Sequence, residues 1–182
     1  MPRNVISLAL LCLFTITLAA PSARAATARE IDASVNATLD RFFNKIRGGR
    51  ELANRATGIL VFPSVVKAGF GVGGEYGEGA LLVRGGTVGY YNTVSASIGF
   101  QLGVQERSII IMFMNQQALN QFRKTAGWKI GVDGSVAIIT VGVGGSLDTN
   151  KITSPVVGFI LDPKGLMYNL TLEGSKISRI KR

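Results

Sequence analysis

Alternating glycines in one segment restrict the fold of this chain more than any other feature. Gly69, Gly71 and Gly73 occupy every second position within residues 62–86, which read FPSVVKAGFGVGGEYGEGALLVRGG. Successive side chains of a β-strand point to opposite faces, so one face of such a strand carries no side chain. A bare face allows another backbone, a large ring or a lipid chain to approach closely. The segment is therefore predicted to form a strand with a close neighbour on its glycine face.

Two helices are predicted, one before this segment and one after it. The first has apolar residues at spacings of three and four, which places them on one stripe, and Gly48 and Gly49 end it. Residues 51–56 add one further turn. The second begins at Asn115, whose side chain suits an N-cap, and ends before Gly127. The apolar residues are Ile31, Val35, Leu39, Phe42, Phe43 and Ile46 in the first helix, and Ala118, Leu119 and Phe122 in the second.

Short apolar or alternating runs separated by glycines predict strands in most of the remaining chain. They lie at residues 58–62, 70–76, 80–84, 87–91, 97–104, 108–114, 128–147, 156–162 and 166–174. A two-residue hairpin turn is predicted at residues 84–87, and another turn at residues 163–165. Many strands with few helices indicate an α+β fold built on an antiparallel sheet. The glycines permit this sheet to coil strongly, towards a barrel, with the N-terminal helix and one further helix packed on it.

The N-terminal residues have the pattern of a secretory signal peptide. Arg3 precedes an apolar run over residues 5–20, and residues 23–25, Ala-Arg-Ala, have the small-x-small form of a cleavage site. We therefore expect residues 1–25 to be removed and residues 26–182 to form a single domain. Export would place the protein in the periplasm or outside the cell. A periplasmic protein of this kind could be attached peripherally to the outer membrane. Cys12 lacks the preceding small residue that lipidation of a lipoprotein would need, so a plain export signal is favoured.

The residue inventory argues for a binding protein and against an enzyme. The chain has no histidine, and its single cysteine, Cys12, lies in the signal segment. The commonest general base, the usual serine–histidine pairing and thiol catalysis are therefore missing, and no catalytic residue, cofactor or metal site is predicted. Residues 69–74 match GxGxxG, but no helix follows to receive a pyrophosphate. Glu75 and Glu78 form one close carboxylate pair, which we expect to point to different faces at a solvated hairpin tip.

The glycine-rich segment and several later strings resemble the SYLF domain, a lipid-binding module. The strings are FPSVVKAGFGVGGEYGEG (62–79), LLVR (81–84), SIGFQLGVQ (97–105), Phe113-Met114, WKIGVDGSVAI (128–138) and LEG (172–174). The resemblance covers roughly residues 40–175. It implies a lipid-binding protein, since eukaryotic members bind phosphoinositides and a yeast member also binds and bundles actin. Residues 31–47 occupy the place of the lipid-binding helical segment that precedes the core in eukaryotic members. An exported protein would meet neither phosphoinositides nor actin in its own cell, so only the lipid-binding class is carried over.

Positive charge suggests what the partner is. Lys and Arg number 20 against 11 Asp and Glu, a net charge of +9, and loss of Arg3 and Arg24 with the signal leaves +7. An anionic phospholipid or membrane surface is the expected partner, whereas nucleic acid is disfavoured because no aromatic residues interleave with the C-terminal cations. Arg107, Lys129 and Lys164 are expected to reach outward from strand ends or turns. The predicted lipid-binding residues are Lys67, Gly69, Gly71, Gly73, Arg84, Lys129, Lys176, Arg179, Lys181 and Arg182.

Two other functions stay open at this point. One is an envelope protein whose β-surface docks another protein without lipid, and the other is an enzyme that uses carboxylates. An internal cavity lined by apolar and glycine positions would favour lipid, whereas a flat exposed apolar patch would favour a protein partner. A cleft that closes on paired acidic side chains would favour the enzyme.

Overall fold

The structure, a computed structural model, describes residues 25–139, 147, 149, 152–165, 172 and 174–182. The signal segment through Arg24, including Cys12, lies outside these residues. So do residues 140–146 of the strand expected at 128–147, and all of the strand expected at 166–174 except Leu172 and Gly174.

Two helices precede the sheet. Helix α1 spans Ala28–Lys45 and begins with a capping box, in which Thr27 and Glu30 each accept a hydrogen bond from the other's backbone N–H. Its predicted apolar stripe is buried except for Phe43, which is half-buried. A short helix α2, Gly49–Arg55, follows Gly48, whose φ of 84° lies in the left-handed region that glycine readily adopts. The predicted further turn is therefore a separate helix that starts where the first one stops.

A single long hairpin replaces the six short strands predicted between residues 58 and 114. Strand β1 spans Gly58–Val83 and β2 spans Gly86–Phe113, and they pair antiparallel with three register shifts. The glycines do not interrupt either strand, contrary to the prediction. Arg84 and Gly85 form the turn, with φ values of 52° and 78°, as a two-residue hairpin of the primed type requires. The turn thus lies one residue earlier than the predicted pair Gly85-Gly86.

Within the described residues, four shorter strands extend the hairpin into one strongly curled sheet. They are β3 (Trp128–Lys129), β4 (Ala137–Ile139), β5 (Val156–Gly165) and β6 (Lys176–Ile180). The order is β3-β6-β2-β5-β4, and β1 pairs with β2 on a separate branch. All described strand pairs are antiparallel except β4 with β5. The predicted α+β fold with a coiled sheet is confirmed. The turn predicted at residues 163–165 is wrong, because these residues continue β5, where Lys164 pairs with Glu106 and Gly165 with Gln105.

Strand β1 bends so sharply that two of its own parts touch. A Cβ atom added at Gly77 would lie 2.8 Å from the carbonyl oxygen of Ser64, and one at Gly79 would overlap the carbonyl oxygen of Val61. Only glycine allows backbone to come this close to backbone. The expected close neighbour of a glycine face is therefore present, but at Gly77 and Gly79 and supplied by the same strand.

The sheet has a core on each face. Helix α3 (Gln116–Lys124), capped by Asn115 as predicted, packs Leu119 and Phe122 against one face, and α1 packs against the other. Trp128 and Phe113 join Phe122 in a cluster of aromatic rings on the α3 side. The first core also contains Leu60, Phe62, Val65, Leu81, Tyr91, Ile109, Ile111, Ile130, Val156, Leu172 and Ile177. The second contains Ile31, Val35, Leu39, Phe42, Ile46, Leu52, Val61, Ala80, Leu82, Ile110, Met112, Val157, Phe159 and Leu161.

Candidate functional site

An apolar groove of about 890 Å³ lies between the start of α1, the middle of β1 (residues 63–78) and residues 94–95 of β2. Val66, Ala68, Tyr76 and Val94 contribute apolar surface, and Gly74 leaves space between them. The side chains of strands alternate, and these residues lie on the sheet face that is opposite to buried Lys67 and Glu75. Tyr76 is 49% exposed and Val94 is 45% exposed, although both are large and apolar. The groove is thus an accessible apolar surface of the size that ligand sites commonly have.

One row of side chains crosses four strands and joins this groove to two cations. Tyr76 lies directly opposite Val94, Val94 opposite Lys176, and Lys176 opposite Lys129. Directly opposed residues of antiparallel strands share a face and lie about 5 Å apart. We call these four residues the cross-strand row. Both lysines are exposed, and like charges that face each other across strands destabilise a sheet. An anion bound between the two lysines would remove that repulsion.

The other C-terminal cations lie at the far end of the same strand. The C-terminal cations lie on strand β6 and on the two residues that follow it, Lys181 and Arg182. Arg179 is exposed opposite Tyr91, and a cleft of about 650 Å³ is lined by Arg179, Lys181 and Arg182. Arg182 forms an ion pair with Glu78 of β1. This end of the sheet is a second basic surface, partly neutralised by one acidic side chain.

The opposite sheet face carries a buried charge cluster. Arg107 donates a hydrogen bond of 2.7 Å to Glu75, and both side chains are almost fully buried. Lys67 is also buried, on the same face and opposite Gln105. Arg107 therefore does not reach outward, contrary to the prediction, and Glu75 does not lie at a solvated tip. Burial in an ion pair accounts for both differences, because a buried carboxylate and guanidinium must be paired.

The carboxylates are not arranged for joint chemistry. Glu75 and Glu78 lie on opposite faces of β1, as expected, and each is paired with a different arginine. Within the described residues no group of three or more acidic, histidine or cysteine side chains could hold a metal ion. The predicted solvated tip is wrong for Glu78 too, since its side chain is only 12% exposed.

Tyr76 links Glu78 to the groove. Its hydroxyl donates a hydrogen bond of 2.6 Å to Glu78 Oε1. Burial first, and then the hydrogen bond and the negative charge of Glu78, raise the pKa of Tyr76 above its usual 10.0. The phenol is therefore neutral near neutral pH and serves as a donor.

The structure brings together only part of the predicted set of lipid-binding residues. Lys129 and Lys176 lie directly opposite each other on neighbouring strands, whereas Arg84 lies exposed at the hairpin turn, and Lys67 is buried on the other face. Gly69 and Gly73 are half-buried in β1 opposite Gly103 and Ser97, and the side-chain surroundings of Gly71 and Lys164 are outside the description. Arg179, Lys181 and Arg182 line the second basic surface.

Tyr76 and Val94 are the residues that the sequence analysis missed. In the sequence, both residues fit the usual alternation of apolar and polar residues in a strand. Only their solvent exposure in the folded protein identifies them as part of a site.

Within the described residues an apolar groove lies beside exposed cations, an arrangement suited to binding a ligand. Residues 94–182 match the family Ysc84, described as Las17-binding protein actin regulator. This match, over just under half of the chain, is consistent with the SYLF domain family that the sequence strings resemble. The family is one of lipid- or actin-binding-type modules and is not known for enzymes. A comparison with curated proteins found no match. None of the helices described here is both long and apolar enough to span a membrane.

Proposed function

We propose that this protein is an exported, non-catalytic lipid-binding protein that binds anionic phospholipid. The acyl chain lies in the apolar groove, and the phosphate binds at Lys129 and Lys176. The observation that carries this proposal is the cross-strand row, in which an aromatic and an aliphatic side chain lead directly to two exposed lysines. An anionic phospholipid has the same sequence of groups, because its apolar acyl chains lead to a negatively charged phosphate.

Two features support an anionic lipid over an uncharged one. The lysines of the row repel each other, and each cation near an anionic bilayer contributes about 1 kcal/mol of attraction. The second basic surface, at Arg179 and Lys181, lies on the same strand and would add to the attraction. The groove also has acidic neighbours, Glu30 and Glu78, but Glu78 is neutralised by Arg182.

Binding to lipid vesicles tests the proposal. The mature protein is mixed with phosphatidylcholine vesicles that contain increasing phosphatidylglycerol, and bound protein is measured after sedimentation. We expect binding to rise with anionic lipid and to fall with salt, since screening acts beyond roughly 8–10 Å at physiological ionic strength. The double variant Lys129→Gln/Lys176→Gln should lose about 2 kcal/mol, or roughly thirtyfold in affinity.

A matched control distinguishes the effect of the two lysines in the cross-strand row from the effect of net charge alone. Arg47 and Lys124 are exposed cations outside the row, and the variant Arg47→Gln/Lys124→Gln removes the same charge. We expect this control to lose much less affinity than the row variant. Equal losses would mean that only net charge matters, and equal binding to neutral and anionic vesicles would exclude the proposal.

A protein partner without lipid is the second candidate. The family description names a Las17-binding actin regulator, and the groove face of the hairpin exposes Val66 and Val104, the latter by 62%. Native mass spectrometry of the exported protein, with organic extraction, distinguishes the two. Extracted lipid supports the proposed function, whereas a co-purifying protein without lipid supports this alternative.

A further inference from the structure

Two buried acceptor oxygens lie beside the cross-strand row. Glu78 and Asn92 are directly opposite each other in β1 and β2, on the face that carries Tyr76 and Val94. Glu78 Oε2 and Asn92 Oδ1 are both buried, and neither has a hydrogen-bond partner within the described part of the chain. Buried polar atoms in proteins are almost always paired, since an unpaired one loses its water without compensation. Two unpaired oxygens on facing residues therefore require an explanation.

The surrounding groups explain only one oxygen of the carboxylate. Glu78 Oε1 accepts a hydrogen bond from the hydroxyl of Tyr76 and pairs with the guanidinium of Arg182. Glu78 Oε2 and Asn92 Oδ1 can only accept hydrogen bonds, so each is suited to a donor. A ligand with an O–H or N–H group could supply the missing hydrogen bonds to these two oxygens.

Tyr76 covers this pair and can uncover it. Its side chain lies two residues from Glu78 on the same face, and half of it is exposed in the groove. Side-chain hydrogen bonds to Glu78 and to Asn92 hold its hydroxyl in place. Rotation of an exposed side chain is fast and inexpensive, so a ligand in the groove could reach the two oxygens by moving the phenol aside.

We propose that Glu78 and Asn92 form a subsite for a hydrogen-bond donor, a hydroxyl or an ammonium, carried by the phosphodiester headgroup of the lipid. The inference rests on the proposed function. Lys176, which would hold the phosphate, lies opposite Val94, two residues along β2 from Asn92, so the phosphate and donor positions are about 7 Å apart along the strand. A headgroup that extends a few bonds beyond its phosphate fits this spacing.

Two lipids of equal charge test the subsite. Phosphatidylglycerol carries hydroxyl donors beyond its phosphate, whereas phosphatidylmethanol has the same single negative charge and no donor there. Each is incorporated at the same fraction in phosphatidylcholine vesicles, and affinity is measured by sedimentation. We expect about tenfold tighter binding to phosphatidylglycerol. A further arm adds phosphatidylethanolamine to phosphatidylmethanol vesicles, and a comparable gain there would identify ammonium as an accepted donor.

Asn92→Leu is the decisive variant, because it removes the acceptor with little change of volume. We expect its preference between the two anionic lipids to fall to about one, with affinity for phosphatidylmethanol unchanged. If this variant does not fold, Glu78→Gln replaces it and should reduce the preference in the same way. Ser178→Ala changes the residue opposite Asn92 on β6 and should keep the preference.

The outcomes separate the subsite from the proposed function. Equal binding of the natural sequence to both anionic lipids, or a preference that survives the loss of Asn92, would overturn the subsite while leaving lipid binding intact. Binding to neither lipid would overturn the proposed function, and the subsite with it.

Discussion

Replacement of Gly79 by alanine tests whether the glycine face is what allows β1 to bend onto itself. The added Cβ would overlap the carbonyl oxygen of Val61 and lie 2.8 Å from both its carbonyl carbon and a ring carbon of Phe62. Ordinary contact begins at 3.4 Å, so the ring of Phe62 must shift by about 0.6 Å and the carbonyl oxygen of Val61 by considerably more. Phe62 is fully buried, and the contacting atoms of Val61 belong to its backbone. A change of side-chain rotamer therefore cannot relieve the overlap.

The magnitude follows from two opposing effects. Overpacking of a core costs typically 1–3 kcal/mol, and a backbone contact that cannot rotate away belongs near the upper end. Alanine also reduces the conformational entropy of the unfolded chain, which stabilises the folded state by about 0.4–1 kcal/mol. We therefore expect Gly79→Ala to lower the free energy of unfolding by about 2 kcal/mol. For a chain of this length that corresponds to a decrease in melting temperature of roughly 4–8 °C.

Thermal and urea unfolding, followed by circular dichroism, provide the assay. Gly74→Ala is the matched control, because Gly74 lies in the same strand and its nearest neighbour would be the Ser95 oxygen at 3.8 Å. We expect that variant to melt at or slightly above the natural temperature. If both variants melt alike, the two parts of β1 do not touch as described, and the account of the curl is wrong.

Three further predictions concern the termini, the buried charges and pH. N-terminal sequencing of the exported protein should begin at Ala26, and recovery of residue 1 would refute signal cleavage. Arg107→Met should destabilise by about 3–5 kcal/mol in urea unfolding, because it leaves Glu75 buried without its ion pair. The double variant Arg107→Met/Glu75→Leu should recover much of this loss, and a double variant as unstable as the single one would contradict the explanation. Burial raises the pKa of Tyr91 above 10.0, with Arg179 and Arg123 opposing. The folded state thus retains the Tyr91 proton longer than the unfolded one, so stability present below about pH 10 should fall as pH rises through the folded pKa, and Tyr91→Phe should reduce that fall.

The sequence by itself determined the element types and much of their order. The stripe of α1, the N-cap at Asn115 and the hairpin near Arg84 depend on local periodicity and turn chemistry, which neighbouring residues largely decide. The long family strings, together with the absence of histidine, indicated a binding module of the SYLF type.

Only the tertiary structure decided which residues meet. Glycines within a strand pattern can interrupt a strand or allow a close approach, and nothing local chooses between the two. The contact of Gly79 with Val61 shows that here they allow the approach. Likewise, a charged side chain can be solvated, or buried with a partner that is distant in the sequence. Arg107 is buried in an ion pair with Glu75, whereas Lys129 is exposed opposite Lys176. These pairings depend on the register of strands distant in sequence, which no local pattern encodes.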